Sequence, residues 1–213
     1  MMGEFIDGLF WYFSLSVFSI GVLWNLVPLV FSKRPTDLSL PRGSAIAGSI
    51  RTVFSRFIPH RGLLSRVSLQ IVAGYMFHLG LFAVLIFAAP HVLFLDEHWL
   101  GFSWTPLPHW AFILASQFAL LGLLMLWLHR VVNPVSRLIS TTGDHVGTIL
   151  TFVVMLTGCL ALLEGFSELR QLHRFFVELF LIYFPFSKLM HTFTFIPSRA
   201  FTGAWFGHRG VKS

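Results

Sequence analysis

The chain has 213 residues, of which 55% are hydrophobic and 11% are charged, with a formal net charge of +6. An average soluble domain carries about 25% charged residues, so this composition excludes an ordinary soluble enzyme and indicates an integral membrane protein. The single cysteine excludes a disulfide within the chain, a zinc cluster of cysteines and an iron–sulfur cluster held by this chain.

Five apolar stretches come close to the roughly 20 residues that a helix needs to cross a bilayer core. They cover residues 9–31, 68–95, 110–128, 146–163 and 172–195. The sequence therefore predicts an all-α integral membrane protein with five transmembrane helices, in which residues 1–213 form a single membrane domain. The first stretch follows the acidic flank MMGEFIDG, whereas a signal peptide has a basic flank, so we expect this helix to stay in the mature protein.

The basic residues are unevenly distributed between the two ends of these helices. In a five-span arrangement, 13 of the 15 Lys and Arg residues fall on one side. Because Lys and Arg in short loops favour the cytoplasmic side, we expect the N-terminus outside and the C-terminus in the cytoplasm. The same asymmetry explains the positive net charge without any nucleic-acid binding.

The basic segment 32–66, between the first two predicted helices, contains an amphipathic pattern in AIAGSIRTVFSRFIPHRG. Apolar residues recur there at helix-face spacing, with arginines elsewhere around the helix: Ile50, Val53, Phe54 and Phe57. The pattern predicts an interfacial helix lying on the inner membrane surface. Membrane lipid is then its partner, and docking of a cytoplasmic protein is the alternative.

Four of the ten histidines lie within predicted helices, His78 and His91 on the second and His173 and His191 on the fifth. Ionisable side chains inside a membrane are costly and are functional candidates. The 18-residue spacing of His173 and His191 is about five helical turns, which puts both on one face about 27 Å apart. On antiparallel helices, His78 can meet His191 near the inner side, and His91 can meet His173 near the outer side.

Imidazoles that face each other across a helix bundle are the arrangement that bis-histidine haem requires. The four residues predict two haem irons, one bound by His78 with His191 and one by His91 with His173. The alternative is that these histidines hydrogen-bond between helices or line a proton path. On a straight helix His91 lies about 140° around the axis from His78, but Pro90 is able to break the helix and reorient His91.

The last predicted helix resembles that of the gamma-subunit family of respiratory nitrate reductase, a dihaem cytochrome b. The family has two histidines 18 residues apart and a Pro-Phe-Ser-basic motif before the second; the matching residues are His173, Pro185, Phe186, Ser187, Lys188 and His191. YMFHLGLF, which contains His78, resembles the second helix of the family. STTGDHVGTILTFVVMLTGCLALL resembles its fourth helix.

This resemblance implies two b haems, quinol oxidation near the outer haem, and electron transfer to an iron–sulfur subunit at the cytoplasmic face of a prokaryotic inner membrane. In nitrate reductase the second-helix histidines are ten residues apart, whereas Ala88 is the tenth residue after His78 and the next histidine is His91. This spacing and the C-terminal FTGAWFGHRGVK look closer to membrane subunits that serve heterodisulfide-reductase-like iron–sulfur proteins. The alternatives are a true nitrate reductase gamma subunit, with a nitrate-reductase-beta-like partner, and a haem-free membrane anchor or transporter.

A quinol site needs an apolar slot and a proton acceptor. The candidate quinone residues are Asp96, His98 and Glu164, at the predicted outer ends of helices. The outer loop LDEHWLGFSWTPLPHW also holds three tryptophans, which is typical of an aromatic belt at a membrane interface. The direction of electron flow stays open, because haem surroundings and exposure set the potentials.

Overall fold

The structure is a computed structural model that describes residues 6–31, 39–59, 61–162 and 167–211. Within these residues all regular structure is helical, and there is no β-strand. The chain divides into two compact units, which are described separately. The first unit contains Val67–Phe180, and the second combines Asp7–Arg66 with Leu181–Ser213.

The helices that follow one another along the described chain differ widely in length. In chain order they are α1 (Trp11–Phe31, preceded by a π-helical turn, Ile6–Phe10), α2 (Ala45–Ser55), α3 (Arg61–Phe87), α4 (Ala89–Leu95, continued by a π-helical turn, Asp96–Leu100), α5 (His109–Val132), α6 (Pro134–Ile139), α7 (Thr142–Leu160), α8 (Ser167–Tyr183) and α9 (His191–His208). Two 3₁₀ turns, Phe184–Phe186 and Lys188–Met190, join α8 to α9.

In the part of the chain that the structure describes, four helical segments are long and apolar enough to cross a membrane. They are Gly8–Phe31, Val67–Phe87, His109–Val132 and Thr142–Leu160. The count rises to five if the bent pair Ser167–Phe186 and Lys188–His208 forms one span. The prediction of an all-helical protein with membrane-length helices is therefore confirmed.

The second predicted helix, 68–95, is wrong in its continuity, because the chain leaves the helical conformation at Ala88. The backbone of Ala88 is extended, with φ −66° and ψ 133°, and Pro90 lies in the first turn of α4. Proline has no N–H to donate and its ring clashes with the preceding turn, so α3 cannot continue through it. The chain restarts as the short helix α4, which carries His91.

The fifth predicted helix, 172–195, is also wrong in its continuity. The helical segments on either side of Ser187 are bent by 79° relative to each other. Ser187 has an extended backbone, with φ −121° and ψ 170°. His173 and His191 therefore do not lie on one face of a single straight helix, as their spacing predicted.

The bend is held by its own side chains and by α1. The Ser187 hydroxyl donates to the Phe184 carbonyl at 2.9 Å and accepts from the Leu189 N–H at 3.2 Å. The Asn25 amide of α1 donates to the Pro185 carbonyl at 3.1 Å. A Cβ at Gly21 would lie 2.5 Å from the Cβ of Pro185, so the proline ring fills the space left by this glycine. The Pro-Phe-Ser-basic motif is thus a bend that packs against α1.

In the first unit, α3 packs against α5 through small residues on both sides of His78. A Cβ at Gly80 would lie 2.5 Å from the Ala115 carbonyl oxygen, and one at Gly122 would lie 2.6 Å from the Phe77 nitrogen. Membrane helices associate in this way because lipid provides no hydrophobic gain between them, so that close backbone approach and packing must provide the attraction.

Gly80 and Gly74 offer a matched test of this packing, since both lie in α3 but a Cβ at Gly74 meets nothing within 4 Å. We expect Gly80→Ala to lower the free energy of unfolding by about 1–3 kcal/mol, because the added methyl group forces the two backbones apart. Gly74→Ala should leave stability unchanged or raise it slightly, since alanine favours the helix. Denaturant-induced unfolding of the protein in mixed micelles measures both. Equal effects of the two substitutions would contradict the close approach.

Candidate functional site

His91 and His173 are brought together in the first unit. Their ring centres lie 6.4 Å apart, and the ring planes are inclined by 21°. Two imidazoles that bind one metal ion from opposite sides, with metal–nitrogen bonds of about 2 Å, have ring centres roughly 6 Å apart. The separation of these two rings therefore fits one metal ion held between them.

The break before α4 fixes the orientation of His91. The last four carbonyls of an α-helix have no partner further along the same helix. In α3 each of the four carbonyls accepts a hydrogen bond of 2.9–3.0 Å: Val84 from the Ala88 N–H, Leu85 from His91 Nδ1, Ile86 from Trp104 Nε1 and Phe87 from the Leu107 N–H. His91 is thus one of the groups that satisfy the broken helix end, and this contact sets the direction of its ring.

His173 lies on α8, where it rests against α7. The Thr157 hydroxyl donates to the carbonyls of Val153 and Val154, at 2.8 and 3.0 Å. Its oxygen is therefore the acceptor for Nδ1 of His173, at 3.3 Å. A Cβ at Gly158 would lie 3.0 Å from Cε1 of the same ring, so the glycine provides the space that the imidazole occupies.

The same ring nitrogen is engaged in all four histidines predicted to bind haem. Besides His91 and His173, Nδ1 of His78 donates to the Gly74 carbonyl at 2.7 Å, and Nδ1 of His191 donates to the Lys188 carbonyl at 2.8 Å. In His78, His91 and His191 the partner is a carbonyl, which only accepts, so Nδ1 carries the hydrogen and in a neutral ring the lone pair lies on Nε2. Histidines that bind metals are commonly oriented by such a bond from the other nitrogen.

This tautomer alone does not identify a metal ligand. His98 makes the same type of bond, from Nδ1 to the Phe94 carbonyl at 3.1 Å, and its ring stacks on Phe94 with the ring centres 4.7 Å apart. His91 and His173 differ from His98 because the centre of a second imidazole ring lies 6.4 Å from each of them.

The inner histidines belong to different units. His78 lies on α3 in the first unit, and His191 is the first residue of α9 in the second unit. Their pairing around an inner haem therefore stays a prediction. Within its own unit, His191 follows directly after the bend at Ser187 and the 3₁₀ turn Lys188–Met190. The Lys188 carbonyl accepts a hydrogen bond from Nδ1 of His191 and so orients the ring.

Two of the three quinone candidates follow His91 closely in the sequence. Asp96 and His98 occupy the π-helical turn Asp96–Leu100, which directly follows α4. Glu164 lies outside the described residues. Among the described residues, no group of three or more His, Cys, Asp or Glu side chains is placed to hold a metal ion.

Sequence reasoning missed the residues that position the outer pair. Thr157 and Gly158 lie in the segment that resembles the fourth family helix, but neither residue type indicates contact with a histidine. The sequence places Trp104 among the interfacial tryptophans, yet its indole N–H donates to the Ile86 carbonyl.

Glu178 of α8 is a further ionisable residue of note, because it is 1% exposed.

Comparisons with known proteins give no functional description. No protein-family model matches this chain, and no solved structure matches it. A protein from Nitratidesulfovibrio vulgaris is 29% identical over 212 residues, covering 95% of this chain and 92% of that protein. It is named only "Protein", so the similarity establishes a relative of nearly the same length and no activity.

Trp104 tests the account of the helix break. We expect Trp104→Phe to lower the free energy of unfolding by about 1 kcal/mol or more, because the Ile86 carbonyl loses its donor. Trp99→Phe is the matched control, since Trp99 is in the same loop and 61% exposed. Hydrogen exchange at the Leu107 amide should become faster only in Trp104→Phe. Unchanged exchange in this variant would show that the tryptophan does not hold the loop on the helix end.

Proposed function

We propose that this chain is the membrane subunit of a prokaryotic respiratory complex: a dihaem cytochrome b that exchanges electrons between the quinone pool and a cytoplasmic iron–sulfur subunit. The observation that carries the proposal is the outer pair, His91 and His173, with ring centres 6.4 Å apart. A haem iron takes two axial ligands from the protein, because the porphyrin supplies the other four nitrogens. Two facing histidines are therefore a complete protein ligand set for haem.

The chemistry of the pair supports electron transfer rather than oxygen activation. When bound, a haem whose two axial positions are both filled by histidine supplies one-electron transfer. The protein groups at this site hold the two rings in place: the Leu85 carbonyl orients His91, and Thr157 and Gly158 orient His173. Because these contacts hold both rings, the two histidines would move little when an electron is gained or lost.

The inner haem and the exchange partners rest on the sequence. We assign the inner haem to His78 and His191, on the matched depths of the two histidines and on the family resemblance. Asp96, His98 and Glu164 are proposed to accept protons from quinol on the outer side. The resemblance favours a heterodisulfide-reductase-like iron–sulfur protein as the cytoplasmic partner.

An optical difference spectrum is the direct test. The purified protein should show b-type bands on dithionite reduction, and pyridine haemochrome quantitation should give two haems per chain. We expect His91→Ala to retain one haem, because the outer iron loses an axial ligand. His109→Ala, at the start of α5, is the matched control and should retain both haems.

Other outcomes of this experiment discriminate between the alternatives. Two haems in His91→Ala would mean that another residue binds the outer iron. A colourless wild-type protein, purified from cells that supply haem to another membrane cytochrome, would overturn the proposal and leave the haem-free anchor or transporter.

Thr157 tests how the protein positions His173. We expect Thr157→Val to weaken outer-haem binding by roughly 10-fold or more, as loss of the outer hydrogen bond does at other metal-binding histidines. Thr157→Ser keeps the hydroxyl and should keep the haem. Haem retention during dilution in detergent measures the affinity, and a shifted midpoint potential of the haem that remains provides a second readout. Equal behaviour of the valine and serine variants would show that the hydroxyl does not orient the ring.

A further inference from the structure

In the second unit, α2 packs antiparallel against α9 with glycines at the contact. A Cβ at Gly207 would lie 2.6 Å from the Ser44 carbonyl oxygen, and one at Gly203 would lie 2.6 Å from Oγ1 of Thr52. Gly48 contacts both of these glycines through its backbone. We call this glycine-lined contact, formed by Ser44, Gly48 and Thr52 with Gly203 and Gly207, the seam.

Polar groups are buried along this seam. The Ser49 hydroxyl donates to the Ala200 carbonyl at 2.8 Å, and Thr52 is 0% exposed. At one end of the pair, the Arg42 N–H donates to the His208 carbonyl at 2.8 Å. At the other end, Arg199 donates to the Val53 carbonyl at 3.4 Å. The contact between the helices is therefore small and polar.

The large apolar residues of α2 point the other way. Ile46, Ile50 and Phe54 are 74%, 57% and 69% exposed. Their spacing of four residues makes them one stripe along the helix, about 180° around the axis from Gly48 and Thr52. We call these three residues the outer stripe. The helix pair thus buries small and polar residues and exposes its large apolar ones.

A helix pair that folds in water has the opposite arrangement, with large apolar residues at the contact and polar residues exposed. In water, burial of Ile46, Ile50 and Phe54 would be the main gain from pairing, and serine and threonine would face solvent. In lipid that gain disappears, and helices pair through small residues and hydrogen bonds, as α2 and α9 do. Lipid is therefore the environment that explains both the seam and the outer stripe.

We infer that α2, held on α9 by the seam, is embedded at the headgroup boundary of one leaflet and binds anionic phospholipid. With 11 residues, α2 is about 16 Å long, which is too short for the roughly 30 Å of a bilayer core. It therefore enters one leaflet without crossing. Acyl chains cover the outer stripe, in place of a docked protein.

The arginines in and beside α2 are positioned to bind the negatively charged phosphates of lipid headgroups. Arg42, Arg51 and Arg56 are exposed, and Arg51 lies about 100° around the helix from the centre of the outer stripe. From this edge an aliphatic stem can lie on the apolar surface while the guanidinium binds a lipid phosphate. Arg209, which directly follows α9, stacks on Trp205 of α9 at 3.6 Å, and such Trp and Arg residues are typical anchors at the headgroup level.

Spin labelling tests this placement and is independent of the haem proposal. Cys159 is the only cysteine, so Cys159→Ala provides a background for single labels in the full-length protein. Labels at Ile46, Ile50 and Phe54 are compared with one at Ser55, an exposed residue away from the outer stripe. In phosphatidylcholine–phosphatidylglycerol nanodiscs, we expect the three stripe labels to be more accessible to oxygen than to a water-soluble nickel chelate, and the Ser55 label to show the reverse.

Two outcomes of the labelling would overturn the inference. Stripe labels that collide mainly with the nickel chelate would place α2 in water. Stripe labels that are immobilised and shielded from both reagents would show that protein covers the outer stripe. Elution volume and helical content by circular dichroism, compared with the Cys159→Ala background, identify any labelled variant that fails to fold, and the two remaining stripe positions then decide the result.

The role of the arginines is measured separately. The double variant Arg51→Gln, Arg56→Gln removes both positive charges. We expect its affinity for phosphatidylglycerol to be lower by roughly fivefold for each arginine removed. Arg51→Lys with Arg56→Lys retains the charge and should retain most of the affinity. Native mass spectrometry of bound lipid provides the measurement. Equal phosphatidylglycerol binding in the glutamine and wild-type proteins would show that these arginines do not bind the headgroups.

Discussion

The helix breaks at Pro90 and Pro185 depend on one constraint: a carbonyl freed inside an apolar environment must find another donor. Lipid cannot supply one, and each unsatisfied group there costs several kcal/mol. At the first break the donors come from His91, Trp104 and Leu107. At the second they come from Asn25 and from the hydroxyl of Ser187. The prolines therefore decide which distant residues must approach each helix end.

The same hydrogen bonds orient the candidate ligands. The Nδ1 atoms of His91 and His191 each donate to a carbonyl beside a break, the first to Leu85 and the second to Lys188. Each bond satisfies the backbone and also leaves the lone pair on Nε2, the nitrogen available to a metal. A helix break that would otherwise cost stability thus becomes the element that positions a candidate ligand.

Small residues allow the helices to pack closely enough to hold these side chains in place. Glycines allow α3 to approach α5 on both sides of His78, allow His173 to rest on α7, and allow α2 to lie on α9. At each of these contacts a side chain would occupy space that a backbone or a ring already fills. Close packing seats His173 against α7, and it keeps in place a short helix, α2, that could not remain folded alone.

The amino-acid sequence by itself determined the helical class, the approximate spans and the histidines that stand out within them, because the bilayer imposes length and apolarity on each helix separately. It also placed in the second helix a proline, Pro90, that is able to break it, although the predicted span ran through this residue. The sequence did not reveal that Trp104 and Leu107 satisfy the broken end, that Thr157 and Gly158 seat His173, or that glycines pair α2 with α9. Only the tertiary structure decided these features, because they depend on which backbone groups and helix faces meet between segments far apart in the chain. The periodicity of one helix does not indicate which helices pack against it.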